Sequence, residues 1–198
     1  MKSILNIILF FIDFRHKNKI ISFFKDKFKN QPLTIIDVGA HVGETISLFS
    51  KNFTIKKMIC YEASRLNFNK LTKFRNFKNI NIVLNNIALG SKETELEFFQ
   101  TSESSSSTFC KIDQNSNYFK RKKNILNVFS QEQYILKSEL IKTTTLKSEF
   151  NKYDLRYIDI LKIDTEGFEF DIIKGTNESL KFVNFILFEH HYDQMIIK

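Results

Sequence analysis

The sequence has few cysteines, and its strongly apolar N-terminal segment is short. Its 198 residues include two cysteines, Cys60 and Cys110, and no CxxC pair, which excludes a disulfide framework. Such cysteine usage is typical of a reducing compartment, so we expect a cytoplasmic protein. The strongly apolar segment 4–12 is too short to span a bilayer, which takes ~20 apolar residues. There is no tryptophan, and the one proline, Pro32, precedes the first predicted strand.

The net charge of +8, from 30 basic and 22 acidic residues, permits attraction to nucleic acid, an anionic membrane or an acidic substrate. The basic residues are scattered, apart from a run at 120–123, and no nucleic-acid-binding motif is present. We therefore predict a lysine-rich solvated surface and no nucleic-acid partner.

The chain is predicted to consist of an N-terminal helical extension, residues 1–31, and a main domain, residues 32–198. No small-residue cleavage site follows the apolar segment 4–12, so it does not have the pattern of a signal peptide. We expect a helix that lies on the sheet or on a partner. Because lysines flank the segment, peripheral membrane contact through residues 4–12 is the alternative.

The stretch from Leu33 to Ser50 predicts a strand, a tight turn and a helix in succession. An apolar run ends at Val38, small residues follow from Gly39 to Gly43, and helical spacing of apolar residues begins at Glu44. This order places backbone N–H groups and the positive end of a helix dipole beside a bound anion. The turn has the spacing G-x-x-x-G, which differs from the G-x-G-x-x-G of dinucleotide sites.

A second predicted strand, ending at Tyr61, is followed directly by Glu62. A carboxylate at the tip of the second strand, about 20 residues past the glycine turn, is placed to accept hydrogen bonds from ribose hydroxyls. The alternative is a solvated acid at a strand end. The combination with Asp37 and the glycine turn favours the ribose interpretation.

Strands and helices alternate through the rest of the chain, which predicts an α/β fold with a parallel doubly wound sheet. Asp37, Glu62, Asp164 and Glu189 each follow a predicted strand. Polar groups from separate strand ends converge on one edge of such a sheet, where these folds bind ligands. The serine-rich segment 102–108 is predicted to be a mobile loop, with a lid over the substrate as the alternative.

At these motifs the chain resembles the FkbM-type methyltransferases, a branch of the S-adenosylmethionine-dependent enzymes with a Rossmann-like sheet. The matching segments follow the family order over roughly residues 32–192: IIDVGAHVGE, CYEAS, NIALGS, SSSST, TTTL, ILKIDTEGFEFDIIKG and ILFEHH. The resemblance implies S-adenosyl-L-methionine as cofactor. It also implies a closing antiparallel hairpin. The chain shows no strands after the fifth core strand, so we expect the C-terminal strands to be missing.

The resemblance also implies roles for individual residues. Asp37, Gly39, Ala40, His41 and Gly43 would lie at the methionine end of the cofactor, with His41 at a position where the family commonly has Asn. Glu62 would bind the ribose, and Asn86 and Ala88 would flank the adenine. Asp164 and Glu166 would face the methyl group and the acceptor.

Methyl transfer to a hydroxyl needs a group that takes up the hydroxyl proton, and the candidates are Asp164, Glu166 and the neighbouring pair His190 and His191. A Mg²⁺ or Ca²⁺ site at Asp164, Glu166 and His190 has no ligand-spacing motif to support it. By the resemblance, we expect O-methylation of a sugar, a glycan or a secondary metabolite. The alternatives are an inactive, C-terminally short paralogue that binds a partner, and a nucleic-acid methyltransferase. A NAD(P)-dependent oxidoreductase would need the three-glycine turn, which is absent.

Overall fold

The computed structural model describes residues 17–73, 80–102, 106–111 and 135–188. The helices are α1 (17–28), α2 (Glu44–Asn52), α3 (Arg65–Leu71), α4 (Leu146–Lys152), α5 (Glu169–Lys174) and a 3₁₀ helix (Asn177–Phe182). The strands are β1 (Leu33–Val38), β2 (Ile55–Tyr61), β3 (Ile82–Asn85), β4 (Ala88–Leu89), β5 (Thr94–Thr101), β6 (Ile135–Thr144), β7 (Ile158–Ile163) and β8 (Val183–Phe188).

The main sheet has five parallel strands in the order β3-β2-β1-β7-β8. All six residues of β1 are buried, as expected for a central parallel strand covered on both faces. The strand order reverses between β1 and β7, and a crevice for ligands forms at the carboxyl ends of strands on either side of such a reversal. This arrangement confirms the predicted doubly wound, Rossmann-like α/β fold.

Two hydrophobic clusters lie on opposite faces of the sheet. One contains Phe24 and Phe28 of α1 together with Ile46 of α2, and the other contains Phe150 of α4 and Ile172 of α5. The apolar residues of β1 and β7 alternate between the two clusters. Asp37 and Lys162 lie side by side on these two strands, in parallel register. A pair of charged residues is therefore built into the centre of the sheet.

A second sheet has the strand order β4-β6-β5, in which β6 pairs parallel with β4 and antiparallel with β5. In the sequence, the segments 96–99 and 139–145 each have the residue pattern of a strand, but the pattern does not predict that they pair. In the structure both strands are longer than these segments, and they pair along almost their whole length. This second sheet carries Phe98 and the serine-rich segment to the ligand edge of the main sheet.

The two ends of the chain are described only in part. None of the helices within the described ranges is long and apolar enough to cross a membrane. The segment 4–12 lies outside these ranges, and so do Glu189, His190 and His191. Helix α1, from the predicted N-terminal extension, packs on the main sheet through Phe24 and Phe28. Strand β8 ends at residue 188, the last one described, so the expectation that the C-terminal strands are missing concerns residues outside the described ranges.

Candidate functional site

The turn after β1, residues 39–43 (the β1 turn), is held by backbone hydrogen bonds to the neighbouring strand. The N–H groups of Gly39 and Ala40 both donate to the carbonyl oxygen of Tyr61, at 2.9 and 3.1 Å. Gly39 has a φ of 82°, and a Cβ added there would lie 1.9 Å from the carbonyl oxygen of Asp164. Only glycine lets this turn approach the end of β7 so closely.

Glu62, at the tip of β2, is 6% exposed and connects the β1 turn to the start of α3. Its Oε2 accepts a hydrogen bond from the backbone N–H of His41 at 2.7 Å, and its Oε1 accepts one from the N–H of Ser64 at 2.8 Å. Burial raises the pKa of the Glu62 carboxyl to about 7, although both backbone N–H groups oppose this shift. Each carboxylate oxygen retains a further acceptor position for a ligand hydroxyl.

His41 adopts a left-handed conformation with a φ of 48°, a region in which Asn and His are enriched relative to other non-glycine residues. Its Nδ1 lies 2.9 Å from Oε1 of Glu44, the first residue of α2. The hydrogen bond to Glu44 raises the pKa of the His41 imidazole, although burial opposes the shift. The side chain is thereby held by α2, while the backbone N–H positions Glu62.

The turn after β7, residues 164–167 (the β7 turn), is held mainly by one carboxylate. Glu169 Oε1 accepts hydrogen bonds from the N–H and hydroxyl of Thr165, at 3.0 and 3.2 Å, and from the N–H of Gly167 at 3.1 Å. Glu166 has a φ of 54°, and its carbonyl oxygen accepts a hydrogen bond from the hydroxyl of Thr108 at 2.7 Å. The turn is thus fixed both to its own helix and to the second sheet.

Lys162 lies between the two turns. Its Nζ is 3.2 Å from each of three oxygens: Oδ1 of Asp37, Oδ2 of Asp164 and the carbonyl oxygen of Gly39. Asp37 is fully buried, and its contact with Lys162 is an ion pair without hydrogen-bond geometry. Burial raises the pKa of the Asp37 carboxyl, and the Lys162 ammonium opposes this shift. Burial also opposes the charge on Lys162, but the two carboxylates outweigh it and raise the pKa of the ammonium.

Part of the serine-rich segment is held in place by hydrogen bonds, whereas the sequence predicted a mobile loop. The hydroxyl of Ser107 accepts hydrogen bonds from the side chain of Gln100 at 2.7 Å and from the N–H of Thr101 at 3.1 Å. Thr108 pairs with Phe99 through two backbone hydrogen bonds. The segment therefore forms a wall of the site at Ser107 and Phe109.

These groups surround a cavity of about 950 Å³ at the carboxyl edge of the main sheet. The volume lies at the upper end of the range for small-molecule sites. The lining residues come from α1, both turns, the ends of β2 and β8, and the second sheet. They include Lys17, Gly39, Ala40, His41, Glu44, Glu62, Ile87, Ala88, Leu89, Phe98, Ser107, Phe109, Lys162, Asp164, Thr165, Glu166, Phe168 and Phe188.

Most of the residues singled out from the sequence lie in this wall: Gly39, Ala40, His41, Glu62, Ala88, Asp164 and Glu166. Gly43 and Asp37 lie behind it. Asn86 is exposed and does not line the cavity; its amide donates to the carbonyl oxygens of Glu62 and Ala63 at 2.8 and 3.2 Å. The predicted base His190 is outside the described residues. Within the described ranges, no three His, Cys, Asp or Glu side chains are placed to hold a metal ion.

Sequence reasoning missed two residues that shape the site, Lys162 and Glu169. A lysine within the otherwise apolar end of a buried strand, ILKI, was a usable signal, because a charge at such a position needs a partner. Glu169 gave a weaker signal, as an acidic residue in the first turn of a short helix.

Comparisons with known proteins indicate the family of this chain. A family model described as the methyltransferase FkbM domain matches residues 37–196, most of the chain. Among solved structures, a crystal structure of methyltransferase FkbM from Methylobacillus flagellatus KT matches 75% of this chain at 14% sequence identity and a TM-score of 0.44. The match spans 30% of the length of that structure's chain. A search of curated proteins finds no significant match.

Proposed function

This chain belongs to the FkbM methyltransferase family, and we propose that it transfers the methyl group of S-adenosyl-L-methionine to a hydroxyl of a sugar, a glycan or a secondary metabolite. The observation that carries the choice of cofactor is the placement of Glu62. This buried carboxylate faces the cavity from the tip of β2, with both oxygens fixed by backbone N–H groups on either side. A ribose with two adjacent hydroxyls is the ligand group that such a fixed pair of acceptors suits.

The rest of the wall near Glu62 fits the other parts of the cofactor. Ile87, Ala88 and Leu89 give an apolar surface, which suits the adenine ring. The β1 turn, with Gly39 at its start, allows close backbone approach and is assigned to the methionine end. The cavity volume of about 950 Å³ leaves room for an acceptor beside the cofactor.

The opposite wall is assigned to the acceptor. S-adenosyl-L-methionine, when bound, supplies a methyl group on a sulfonium leaving group, so the protein has to align the acceptor and take up its proton. Asp164 lines the cavity with its side chain 36% exposed, and Glu166 lies beside it. We assign Asp164 to orient the acceptor hydroxyl and accept its proton, and Glu166 to bind the acceptor. His190 is retained as a second candidate base.

The charge of the wall supports a neutral acceptor. Four lining residues are acidic, Glu44, Glu62, Asp164 and Glu166, against two lysines, Lys17 and Lys162, and the ammonium of Lys162 is already paired with two carboxylates. Such a wall repels a polyanion and is compatible with a hydroxyl-bearing neutral molecule. This argues against a nucleic-acid acceptor, although the net charge of the whole chain is +8.

The proposal is tested by incubating the protein with methyl-labelled S-adenosyl-L-methionine and a panel of acceptors. The panel should contain free sugars, nucleotide sugars, oligosaccharides and polyhydroxylated secondary metabolites, with tRNA and duplex DNA as the rival class. We expect label in a hydroxyl group of a member of the neutral classes. Label in nucleic acid only, or no transfer by a protein that binds the donor, would contradict the proposed acceptor class.

Once an acceptor is found, Asp164→Asn tests the assigned base. We expect turnover to fall by about a hundredfold or more, because an amide cannot take up the hydroxyl proton. The dissociation constant for the donor should rise by about tenfold at most, well below the loss in turnover, since the variant removes one negative charge near the sulfonium but leaves the ribose contact at Glu62 in place. Asp154→Asn, at an exposed position outside the cavity wall, is the matched control. Equal losses in turnover and donor affinity would make Asp164 a cofactor-binding or structural residue.

A further inference from the structure

Lys162 occupies a largely buried position, where a lysine is unfavourable unless its charge is paired. Its neighbours on β7, Leu161 and Ile163, are fully buried, and its own side chain is 13% exposed. Lysine is among the residues least often buried, because moving its charge out of water is costly. An apolar residue would continue the pattern of the strand. The charge of Lys162 therefore has to be stabilised by particular contacts.

The Lys162 ammonium is stabilised by three oxygens from three elements. It donates to the carbonyl of Gly39 in the β1 turn and forms ion pairs with Asp37 of β1 and Asp164 of the β7 turn, all at 3.2 Å. The ammonium of Lys162 therefore connects the β1 turn, on the proposed cofactor side of the cavity, with the β7 turn, on the proposed acceptor side.

Several other titratable groups surround this cluster. Cys60 lies beside Asp37 on β2, where burial raises the pKa of its thiol well above the ordinary value. Glu44 of α2 and Glu62 at the end of β2 act on Asp37 and on each other through space, and all of these groups are neutral or negative. In the described part of the chain, the Lys162 ammonium is the cation that pairs with Asp37 and Asp164.

We propose that Lys162 is a positioning residue of the methyltransferase site: it fixes Asp164 and the β1 turn relative to each other and places a positive charge between the carboxylates of Asp37 and Asp164. This inference rests on the function proposed above. Without the ammonium, two carboxylates would face each other across a space that no longer contains a cation. Such a pair shares one proton, as like charges in close proximity do. Loss of the ammonium would therefore raise the proton affinity of this pair, in addition to the titration of Glu62, which wild type and variant share.

This gives Lys162 a signature in the pH dependence of donor binding. S-adenosyl-L-methionine carries a positive sulfonium charge, so protonation of the carboxylate pair weakens its binding. The dissociation constant should be measured by calorimetry at several pH values between about 6 and about 8.5 for wild type, Lys162→Met and Lys162→Arg. Taking the ratio of variant to wild type at each pH cancels the titration of Glu62, which all the proteins share.

For Lys162→Met we expect this ratio to rise by about tenfold or more as the pH falls from about 8.5 to about 6. For Lys162→Arg the ratio should stay constant, because the positive charge is retained. Lys57→Met is the matched control, a lysine on strand β2, which β1 separates from β7, and its ammonium lies 5.0 Å from the centre of the Tyr153 ring. Should Lys162→Met fail to fold, Lys162→Gln removes the same charge and keeps a hydrogen-bond donor for Gly39.

The outcomes separate the two proposals. A ratio that is raised equally at every pH for Lys162→Met would mean that the residue only supports the structure, and would overturn the inference while leaving the proposed function intact. A ratio that rises equally for Lys57→Met would overturn it too. If the folded wild-type protein binds no S-adenosyl-L-methionine at any pH, the proposed function is wrong and the inference falls with it.

Discussion

Two turns lie side by side at the carboxyl edge of the sheet, and they are stabilised in opposite ways. The β1 turn depends on backbone groups: its N–H groups donate to Tyr61 and Glu62, and Gly39 provides the space. The β7 turn depends on side chains: Glu169 accepts three hydrogen bonds within it, and Thr108 donates to it from the second sheet. The first turn cannot accommodate an added Cβ, whereas the second cannot lose a carboxylate.

Under the proposed activity, the two ways of stabilising a turn match the two ligands that the turns would bind. A cofactor is common to a whole class of enzymes, and a backbone-built turn presents the same donors whatever the side chains are. An acceptor differs from one enzyme to the next, and a wall built from side chains and a second sheet can vary with it. The two turns are connected by a hydrogen bond of 3.0 Å from the N–H of Asp164 to the carbonyl oxygen of Val38. A shift in the position of one turn therefore also moves the other.

The largest effect is expected from Gly39→Ala. The added methyl group would lie 1.9 Å from the carbonyl oxygen of Asp164, at a φ of 82° that L-residues rarely adopt. We expect a loss of about 3 kcal/mol or more in the free energy of unfolding, measured by urea denaturation, together with a loss of donor binding. Gly43→Ala, at a φ of 101° in the same turn, should cost about 1–2 kcal/mol from backbone strain. Equal costs for the two variants would show that the turns do not touch as described.

A smaller effect is expected from the titration of Glu62. Its pKa is about 7 in the folded protein and near 4.5 in the unfolded chain, so between these values the folded state holds a proton that the unfolded state has lost. The free energy of unfolding of wild type relative to Glu62→Gln should therefore fall as the pH rises from about 4.5 to about 7, by about 3 kcal/mol in total. Below this window the difference is constant. Urea denaturation at a series of pH values measures it.

Glu97→Gln, an exposed change on β5, is the control for that series. A difference between Glu62→Gln and wild type that does not change with pH would mean that the two backbone N–H groups fully offset the burial of the Glu62 carboxyl. A difference that rises with pH would mean that the charged form is stabilised, and either result would contradict the raised pKa.

The smallest effect on stability, but a specific one on turnover, is expected from Glu169→Ala. Three hydrogen bonds to Thr165 and Gly167 are lost, which should cost about 1–2 kcal/mol in the free energy of unfolding. Turnover should fall more than donor affinity, because the β7 turn carries Asp164 and Glu166 on the acceptor side. Glu169→Gln keeps an acceptor oxygen and should recover part of the loss. If Glu169→Ala weakened donor binding as much as turnover, the division between the two turns would be wrong.

Much of the fold and half of the site could be predicted from the sequence. The boundaries of β1 and β7 follow from apolar runs that end before Gly39 and before Asp164, and the β1 turn follows from its glycines, because these signals are local. The predicted positions of Asp164 and Glu62 at strand ends are confirmed by the structure. Their chemical roles stay predictions.

The rest depended on contacts between distant residues. The pairing of β5 with β6 joins segments separated by a long stretch of sequence, and no local pattern specifies it. Asn86 was expected beside the adenine, but its amide turns back to the carbonyl oxygens of Glu62 and Ala63, a choice that residue type does not reveal. Lys162 could have been noticed in its apolar strand, yet its partners Asp37 and Asp164 become apparent only when β1 and β7 are seen to be neighbours.

The most direct test of the central claim is a calorimetric titration of wild type and Glu62→Ala with S-adenosyl-L-methionine, S-adenosylhomocysteine and NAD⁺. We predict that wild type binds the first two and not the third. The variant should lose about 1.5–3 kcal/mol of binding free energy, the contribution of hydrogen bonds to a charged group. Unchanged affinity in Glu62→Ala, or binding of NAD⁺ in place of the methyl donor by folded wild type, would contradict the assignment of this cavity to S-adenosyl-L-methionine.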